Sequence, residues 1–140
     1  MIKAENHKIL VIHGPNMNLL GFKNRNTKER ITLDKLNRHL RKIAREKELS
    51  LTIIQTNEEG RAVKRLQNNR KKIQGILLFP GPWQESGHVI KDTIKILSIP
   101  YIAILNVKTT SILKGIKGAE GEGLYQSSEK ALTELVNQIQ

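Results

Sequence analysis

Short apolar segments that alternate with longer amphipathic stretches are the feature that most constrains the fold of this sequence. The segments lie at residues 9–12, 49–55, 75–79 and 101–105, and several are rich in β-branched residues. Such segments are typical of buried strands. Strands that alternate with helices predict a parallel sheet with helices on both faces and right-handed crossovers.

The amphipathic stretches carry apolar residues at helical spacing. The first predicted helix starts after Thr32, a suitable N-cap, and the second covers residues 61–72. Ser86 is predicted to cap a third helix, residues 111–116 to form a short fifth strand, and residues 127–140 to form the last helix. We therefore expect an α/β fold with a flavodoxin-like, doubly wound parallel sheet in strand order 2-1-3-4-5. Because no linker is long enough to separate domains, residues 1–140 are expected to form a single domain.

The composition excludes several kinds of site. The 140 residues include no cysteine, so disulfides, thiol nucleophiles and thiolate metal sites are ruled out. The four histidines, His7, His13, His39 and His88, show no metal-ligand spacing, and we expect neither a metal nor a cofactor. No apolar run approaches the roughly 20 residues that span a bilayer, and the N-terminus lacks the apolar stretch of a signal peptide. We therefore expect a cytoplasmic protein with no membrane association.

The charge of the chain points to anionic partners. Lysine and arginine number 24 against 13 aspartates and glutamates, which gives a formal net charge of +11. Such a field attracts anionic small molecules or anionic macromolecules, nucleic acid among them. The alternative is a solvated, lysine-rich surface without a partner. The five aromatic residues are few for a platform that stacks on single-stranded bases.

The loop after the first strand is a candidate ligand site. The strand ends at His13-Gly14-Pro15-Asn16, and ligands of open α/β sheets bind at the carboxyl ends of strands. The short amides of Asn16 and Asn18 suit the orientation of a polar ligand. Alternatively, they satisfy loop backbone groups through Asx turns.

Four motifs at the strand ends resemble one enzyme family. They are HGPNMNLLG after the first strand, TNEEG after the second, FPGPW after the third and IPYIAIL at the fourth. From about Lys8 to Asn106 they resemble the type II 3-dehydroquinate dehydratases. The resemblance implies a lyase that removes water from a cyclic keto acid through an enolate. It also implies a homo-oligomer, a trimer or a dodecamer of trimers, in which the position of Asp92 reaches a neighbouring pocket.

Several positions depart from the family pattern. Aligned without gaps, the family's tyrosine base falls on Lys28 and its arginine partner on Lys23. The histidine acid and its orienting glutamate fall on Leu105 and Ala103. The substrate-contacting asparagine after the third strand is replaced by Phe79, the following histidine by Glu85, and the arginine-bearing loop after the fourth strand has no counterpart in residues 108–114.

Other positions match the pattern. The resemblance places a substrate-binding group at Asn16 and main-chain donors to a carboxylate at Asn106 and Val107, and Lys23 is a further candidate substrate-binding group in place of the family's arginine. Pro80, Gly81 and Asp92 also match.

Two interpretations of function follow. The first is a non-catalytic dehydroquinase-like protein, a scaffold or binding protein whose basic surface meets an anionic partner. The second is a divergent or still active lyase on 3-dehydroquinate or a related cyclic hydroxy or keto acid, with Lys28, Glu85 and Asn16 as candidate catalytic groups. As a base, Lys28 would need a pKa about three units below its ordinary value of ~10.4. A new acid–base set of Glu85, Ser86 and His88 is an alternative to simple helix capping.

Overall fold

The apolar segments form a five-stranded parallel sheet in the order β2-β1-β3-β4-β5. The computed structural model describes residues 7–22, 31–118 and 123–139. The strands are β1 (His7–His13), β2 (Leu49–Gln55), β3 (Gly75–Phe79), β4 (Tyr101–Asn106) and β5 (Gly115–Gly118). The predicted doubly wound α/β fold and strand order are confirmed.

Helices cover both faces of this sheet. They are α1 (Leu33–Glu46), α2 (Glu59–Asn69), the one-turn helix α3 (Trp83–Ser86), α4 (His88–Leu97) and α5 (Gly123–Ile139), and a short 3-10 turn spans Met17–Leu19. No helix in the described residues combines the length and apolar character needed to cross a bilayer.

Alternating side chains of the strands build a separate core on each face. On the α1/α5 face, Ile9, Val11 and Leu77 of the strands pack with Leu36 and Leu132 of the helices. On the α2/α4 face the core includes Leu10, Ile12, Ile76 and Leu78 of the strands and Leu66, Ile90 and Ile94 of the helices. Because both faces are covered, β3 is buried along its entire length.

The start of α1 agrees with the prediction, whereas the start of α4 does not. The side chain of Thr32 accepts a hydrogen bond from the Lys35 N–H at 3.3 Å. Ser86 does not cap α4, because its hydroxyl donates to the Pro82 carbonyl within α3 at 3.1 Å and Gly87 occupies the N-cap position. The turn after β3 thus forms its own short helix, and His88 becomes the first residue of α4.

The fifth strand and the last helix are displaced from their predicted positions. Strand β5 begins at Gly115, beyond most of residues 111–116, because the Ile112 N–H is tied to the carbonyl of Gln84. A Cβ atom on Gly115 would collide with the main chain of Ala103, so a glycine allows β5 to lie this close to β4. Helix α5 begins at Gly123, four residues before the predicted start.

Candidate functional site

The candidate site lies where β1, β3 and β4 end. Strand order reverses between β1 and β3, and in open α/β sheets the crevice at this switch point is the usual ligand site. His13 ends β1, Phe79 ends β3 and Asn106 ends β4, so their following loops surround this crevice.

The loops after β1 and β3 contact each other directly across the switch point. The Gly14 N–H donates to the Phe79 carbonyl at 2.8 Å. A Cβ atom on Gly14 would lie 2.7 Å from the Pro80 carbonyl oxygen, and one on Gly81, whose φ is +54°, would lie 3.0 Å from that of Pro15. The two glycines therefore allow an approach that closes this part of the crevice with backbone.

A group of side-chain amides holds the loop after β1. Asn16 has a left-handed φ of 69°, and its main-chain N–H donates to Oδ1 of Asn57 at 3.1 Å. Nε2 of Gln55 lies 3.1 Å from the same Oδ1, 3.2 Å from the Gly14 carbonyl oxygen and 3.4 Å from Oδ1 of Asn18. Gln55 and Asn57 were missed as site residues, although they end β2 and start its loop at the same edge of the sheet.

His13 is a buried histidine at the end of β1. Its side chain has no exposed surface, its ring stacks on Phe79 at 4.6 Å, and its Nε2 lies 2.8 Å from Oδ1 of Asn37 on α1. Because that amide oxygen accepts, Nε2 carries the proton and Nδ1 is a bare acceptor, buried without a partner among the described residues.

The surroundings of His13 favour its neutral form. Burial lowers the pKa of His13 to about 4, although the hydrogen bond to Asn37 opposes the shift. The imidazole is therefore uncharged near neutral pH, and sequence reasoning had assigned it no role.

The side-chain amide of Gln84 is hydrogen-bonded to the Asn106 N–H, one of the two main-chain donors predicted after β4. The side chain is 2 % exposed, and its Oε1 accepts the Asn106 N–H at 2.7 Å. Its Nε2 donates to the Asn106 carbonyl at 2.8 Å and lies 3.0 Å from Oγ1 of Thr109. Its own carbonyl accepts the Ile112 N–H at 2.8 Å. One buried amide thus joins α3 to the loop after β4.

Apolar side chains of the α2/α4 core lie beside these loops. Trp83 is 5 % exposed and packs into the α2/α4 core, so close to the loop after β1 that a Cβ on Gly14 would lie 3.0 Å from its ring. Leu105 is half-buried against the same core, and Ala103 is buried in it. Leu105 and Ala103, which the resemblance aligns with the family's acid and glutamate, therefore contribute to packing.

The other predicted site residues are dispersed. Glu85 is exposed on α3, with Oε2 3.4 Å from the Thr110 hydroxyl, and Asn16 is exposed beside Asn57. Val107 is 60 % exposed after β4. Lys23 and Lys28 lie outside the described residues.

The alternative acid–base set and a metal site find no support in the geometry. Ser86 bonds to Pro82 within α3, and His88 is exposed at the start of α4. Within the described part of the chain, no group of three or more histidines, aspartates or glutamates is placed to hold a metal ion.

Fold and site together define an α/β protein with a crevice at the carboxyl ends of a parallel sheet, and comparisons with known proteins identify its family. The model of the family "Dehydroquinase class II" matches residues 7–111. The chain therefore belongs to the class II dehydroquinase family.

Similar proteins and structures agree with this family. Over 97 residues the chain is 35% identical to the 3-dehydroquinate dehydratase of Geotalea daltonii, covering 69% of this chain and 67% of that protein. Over 96 residues it is 36% identical to the 3-dehydroquinate dehydratase of Prochlorococcus marinus strain MIT 9301, covering 69% of this chain and 65% of the relative. The aligned part thus spans about two thirds of these relatives.

Solved structures show the same fold. The type II dehydroquinase of Butyrivibrio crossotus superposes with a TM-score of 0.75 at 24% identity, over 96% of this chain and 97% of that chain. The type II dehydroquinase of Propionibacterium acnes gives a TM-score of 0.78 at 22% identity, over 96% of this chain and 99% of that chain.

Proposed function

We propose that this chain is a non-catalytic member of its family that acts as a binding or scaffold protein through its basic surface. The observation that carries this proposal is the hydrogen bonding of Gln84, whose amide takes up both the N–H and the carbonyl of Asn106. A substrate carboxylate could accept a hydrogen bond from the Asn106 N–H only after the Gln84 side chain had moved away from it.

The chemistry of dehydration supports the same proposal. Loss of water through an enolate needs a base, an acid and donors that hold the developing negative charge. Leu105, at the position of the family's acid, has no proton to donate. Trp83 and Gln84 are uncharged at ordinary pH and supply neither an acid nor a base. Loss of one member of an acid–base set already costs orders of magnitude in rate.

The candidate substrate-binding groups are proposed as remnants of an ancestral site. These are Asn16, Lys23, Asn106 and Val107. In this proposal Asn16 retains its place because its backbone is anchored to Asn57 in the turn after β1, whether or not a substrate is bound.

The second candidate function is a dehydratase or lyase on 3-dehydroquinate or a related cyclic acid. The names of the two relatives that are 35% and 36% identical favour it. Its working groups would be Lys28, Glu85 and Asn16, and its substrate would have to displace Gln84 from Asn106.

An absorbance assay separates the two functions. Purified protein is incubated with 3-dehydroquinate, and the conjugated enone product is followed in the ultraviolet. We expect no turnover, whereas turnover at ordinary enzymatic rates would overturn the proposal. Any activity found would be assigned with Lys28→Ala and Glu85→Gln, which should both abolish it if the second function is correct.

We further propose that the protein forms a homo-oligomer through the outer surface of α4. Val89 and Ile96 are 58% and 72% exposed, and they flank Asp92 on this helix. Large apolar side chains that are exposed close together are common at interfaces. The positive charge of each chain favours an interface at α4, which holds two lysines and one aspartate, over one at the more basic helix α1.

A further inference from the structure

We propose that the edge of the sheet formed by α1, β2 and α2 binds the phosphate backbone of double-stranded nucleic acid without sequence preference. This inference rests on the proposed function, because it names the partner of the basic surface. We refer to residues 33–72, which span these three elements, as the basic edge.

Most of the positive charge of the chain is concentrated in the basic edge. Residues 33–72 contain twelve lysines and arginines against five aspartates and glutamates, a net charge of +7 out of +11. Strand β2 is the outermost strand, and α1 and α2 cover opposite faces of the sheet. The two basic helices therefore flank one edge of the molecule, where their fields add.

Helix α1 presents its positive charges in one stripe. Arg38, Arg41, Lys42 and Arg45 are all exposed, and their spacing of three and four residues places them on one side of the helix over about 10 Å. The salt bridge in the described residues joins Glu58 to Arg61 and involves no member of this stripe. Like charges at this spacing repel one another, and bound anions would remove that repulsion.

A groove beside the stripe offers a seat for a phosphate group. It has a volume of about 260 Å³ and lies between the second half of α1 and the start of β2. Arg41, Arg45 and Ser50 supply donors along it, and Ala44, Leu49 and Leu51 complete its lining. Two guanidinium groups one turn apart can each bind phosphate oxygens in a bidentate manner.

The absence of apolar exposure favours nucleic acid over an acidic protein. Among the described residues, the large apolar side chains that are exposed are Leu19, Phe22, Val89, Ile96 and Val107, all outside the basic edge. A protein interface usually has an apolar core within its polar rim, which the basic edge does not offer. A phosphate backbone needs charge alone.

The absence of aromatic residues favours a duplex over a single strand. Residues 33–72 contain no phenylalanine, tyrosine or tryptophan. Proteins that bind single strands stack bases on aromatic rings, whereas a duplex presents closely spaced phosphates with its bases already stacked.

The test measures binding of a fluorescent 20-base-pair DNA duplex of arbitrary sequence by anisotropy at several salt concentrations. The variant R38E/R41E/R45E reverses the charge of three of the four residues of the stripe. The matched control is K114E/K117E/K130E, which changes the net charge equally at exposed positions beside and on β5, the opposite edge of the sheet, and on α5. Circular dichroism checks that each variant is folded. If R38E/R41E/R45E does not fold, the triple glutamine variant R38Q/R41Q/R45Q replaces it.

We expect the wild-type protein to bind with a dissociation constant of about 10⁻⁴ to 10⁻⁶ M at physiological salt and more tightly at low salt. The α1 variant should weaken binding by tenfold or more. It should also reduce the magnitude of the negative slope of log K against log salt concentration by about 2 to 3. The control variant should change the affinity by less than about threefold.

Equal losses in both variants, no duplex binding at low salt, or tighter binding of poly-L-glutamate or single-stranded DNA would overturn the inference. The dehydroquinate assay is read separately on the same wild-type protein. Turnover there with duplex binding intact would reject the non-catalytic function alone, and loss of duplex binding without turnover would reject the nucleic-acid partner alone.

Discussion

The side-chain amide of Gln84 pairs with the main chain of Asn106 through two hydrogen bonds, one to the N–H at 2.7 Å and one to the carbonyl at 2.8 Å. A single buried glutamine thereby engages both main-chain hydrogen-bonding groups of the residue that ends β4. The pairing also holds the start of α3 against residues 109–112, so the loop after β4 depends on it.

Replacing Gln84 should therefore destabilise the protein. Gln84→Ala leaves the Asn106 groups without their partner and creates a cavity, which we expect to lower the free energy of unfolding by about 2 to 4 kcal/mol. Urea unfolding measures this loss. Gln126→Ala, an exposed position on α5, is the matched control and should change stability by less than about 0.5 kcal/mol. A loss below 1 kcal/mol for Gln84→Ala would show that the pairing is unimportant for stability.

Two glycine substitutions should have opposite effects. Gly14→Ala forces a Cβ atom against the Pro80 carbonyl and the Trp83 ring, and it should lower the melting temperature by several degrees or prevent folding. Gly60→Ala lies in α2 with no atom within 4 Å of the added Cβ, so it should stabilise the protein by up to about 1 kcal/mol. Thermal melts followed by circular dichroism compare them. Similar melting temperatures for the two variants would contradict the close packing described at the switch point.

Burial of His13 should make stability depend on pH. Its pKa is about 4 in the folded protein against 6.5 ordinarily, so between these values the unfolded chain binds a proton that the folded chain does not. Stability from neutral His13 is therefore complete above pH 6.5 and declines as the pH falls towards 4, by an upper limit of about 3 kcal/mol.

The measurement is the urea midpoint as a function of pH for the wild-type protein, His13→Gln and His88→Gln. The slope between pH 6.5 and pH 4 should flatten in His13→Gln and stay unchanged in His88→Gln, whose histidine is exposed. A His13→Gln slope equal to that of the wild-type protein would mean that His13 does not control acid stability.

If the protein assembles through α4, a charge placed on the exposed apolar surface of that helix should lower the mass of the assembly. Ile96→Asp places a charge on the exposed apolar surface, and light scattering after size exclusion should find smaller assemblies than for the wild-type protein. Lys130→Asp, at an exposed position on α5, should leave the assembly nearly unchanged. Identical masses for wild type and Ile96→Asp would place any interface elsewhere.

The sequence was sufficient to predict the fold because its main signals are local. The β-branched and apolar residues of 49–55 and 75–79 define β2 and β3 to the residue, and Thr32 marks the start of α1 by its hydroxyl. The fifth strand was misplaced because its position depends on distant contacts, the pairing of Gln84 with residues 106–112 and the close approach of Gly115 to Ala103.

The sequence predicts a candidate site at these strand ends, but it did not predict the residues that hold the surrounding loops together. Resemblance pointed to Asn106, but a glutamine that bonds 22 residues away leaves no local pattern, so Gln84 was missed. The burial of His13 was missed for the same reason, because it depends on contacts with Asn37 and Phe79, which are distant in the sequence. Buried polar side chains are hydrogen-bonded as a rule, and the partners of His13 and Gln84 lie on other elements.

A single-turnover experiment decides whether this protein catalyses the dehydration of 3-dehydroquinate, which we propose it does not. The protein is mixed in excess over 3-dehydroquinate, and the ultraviolet absorbance of the enone product is followed for hours against a sample without protein. Our account predicts the same slow rate in both samples. A faster rise with the wild-type protein that Glu85→Gln or Lys28→Ala removes would contradict it.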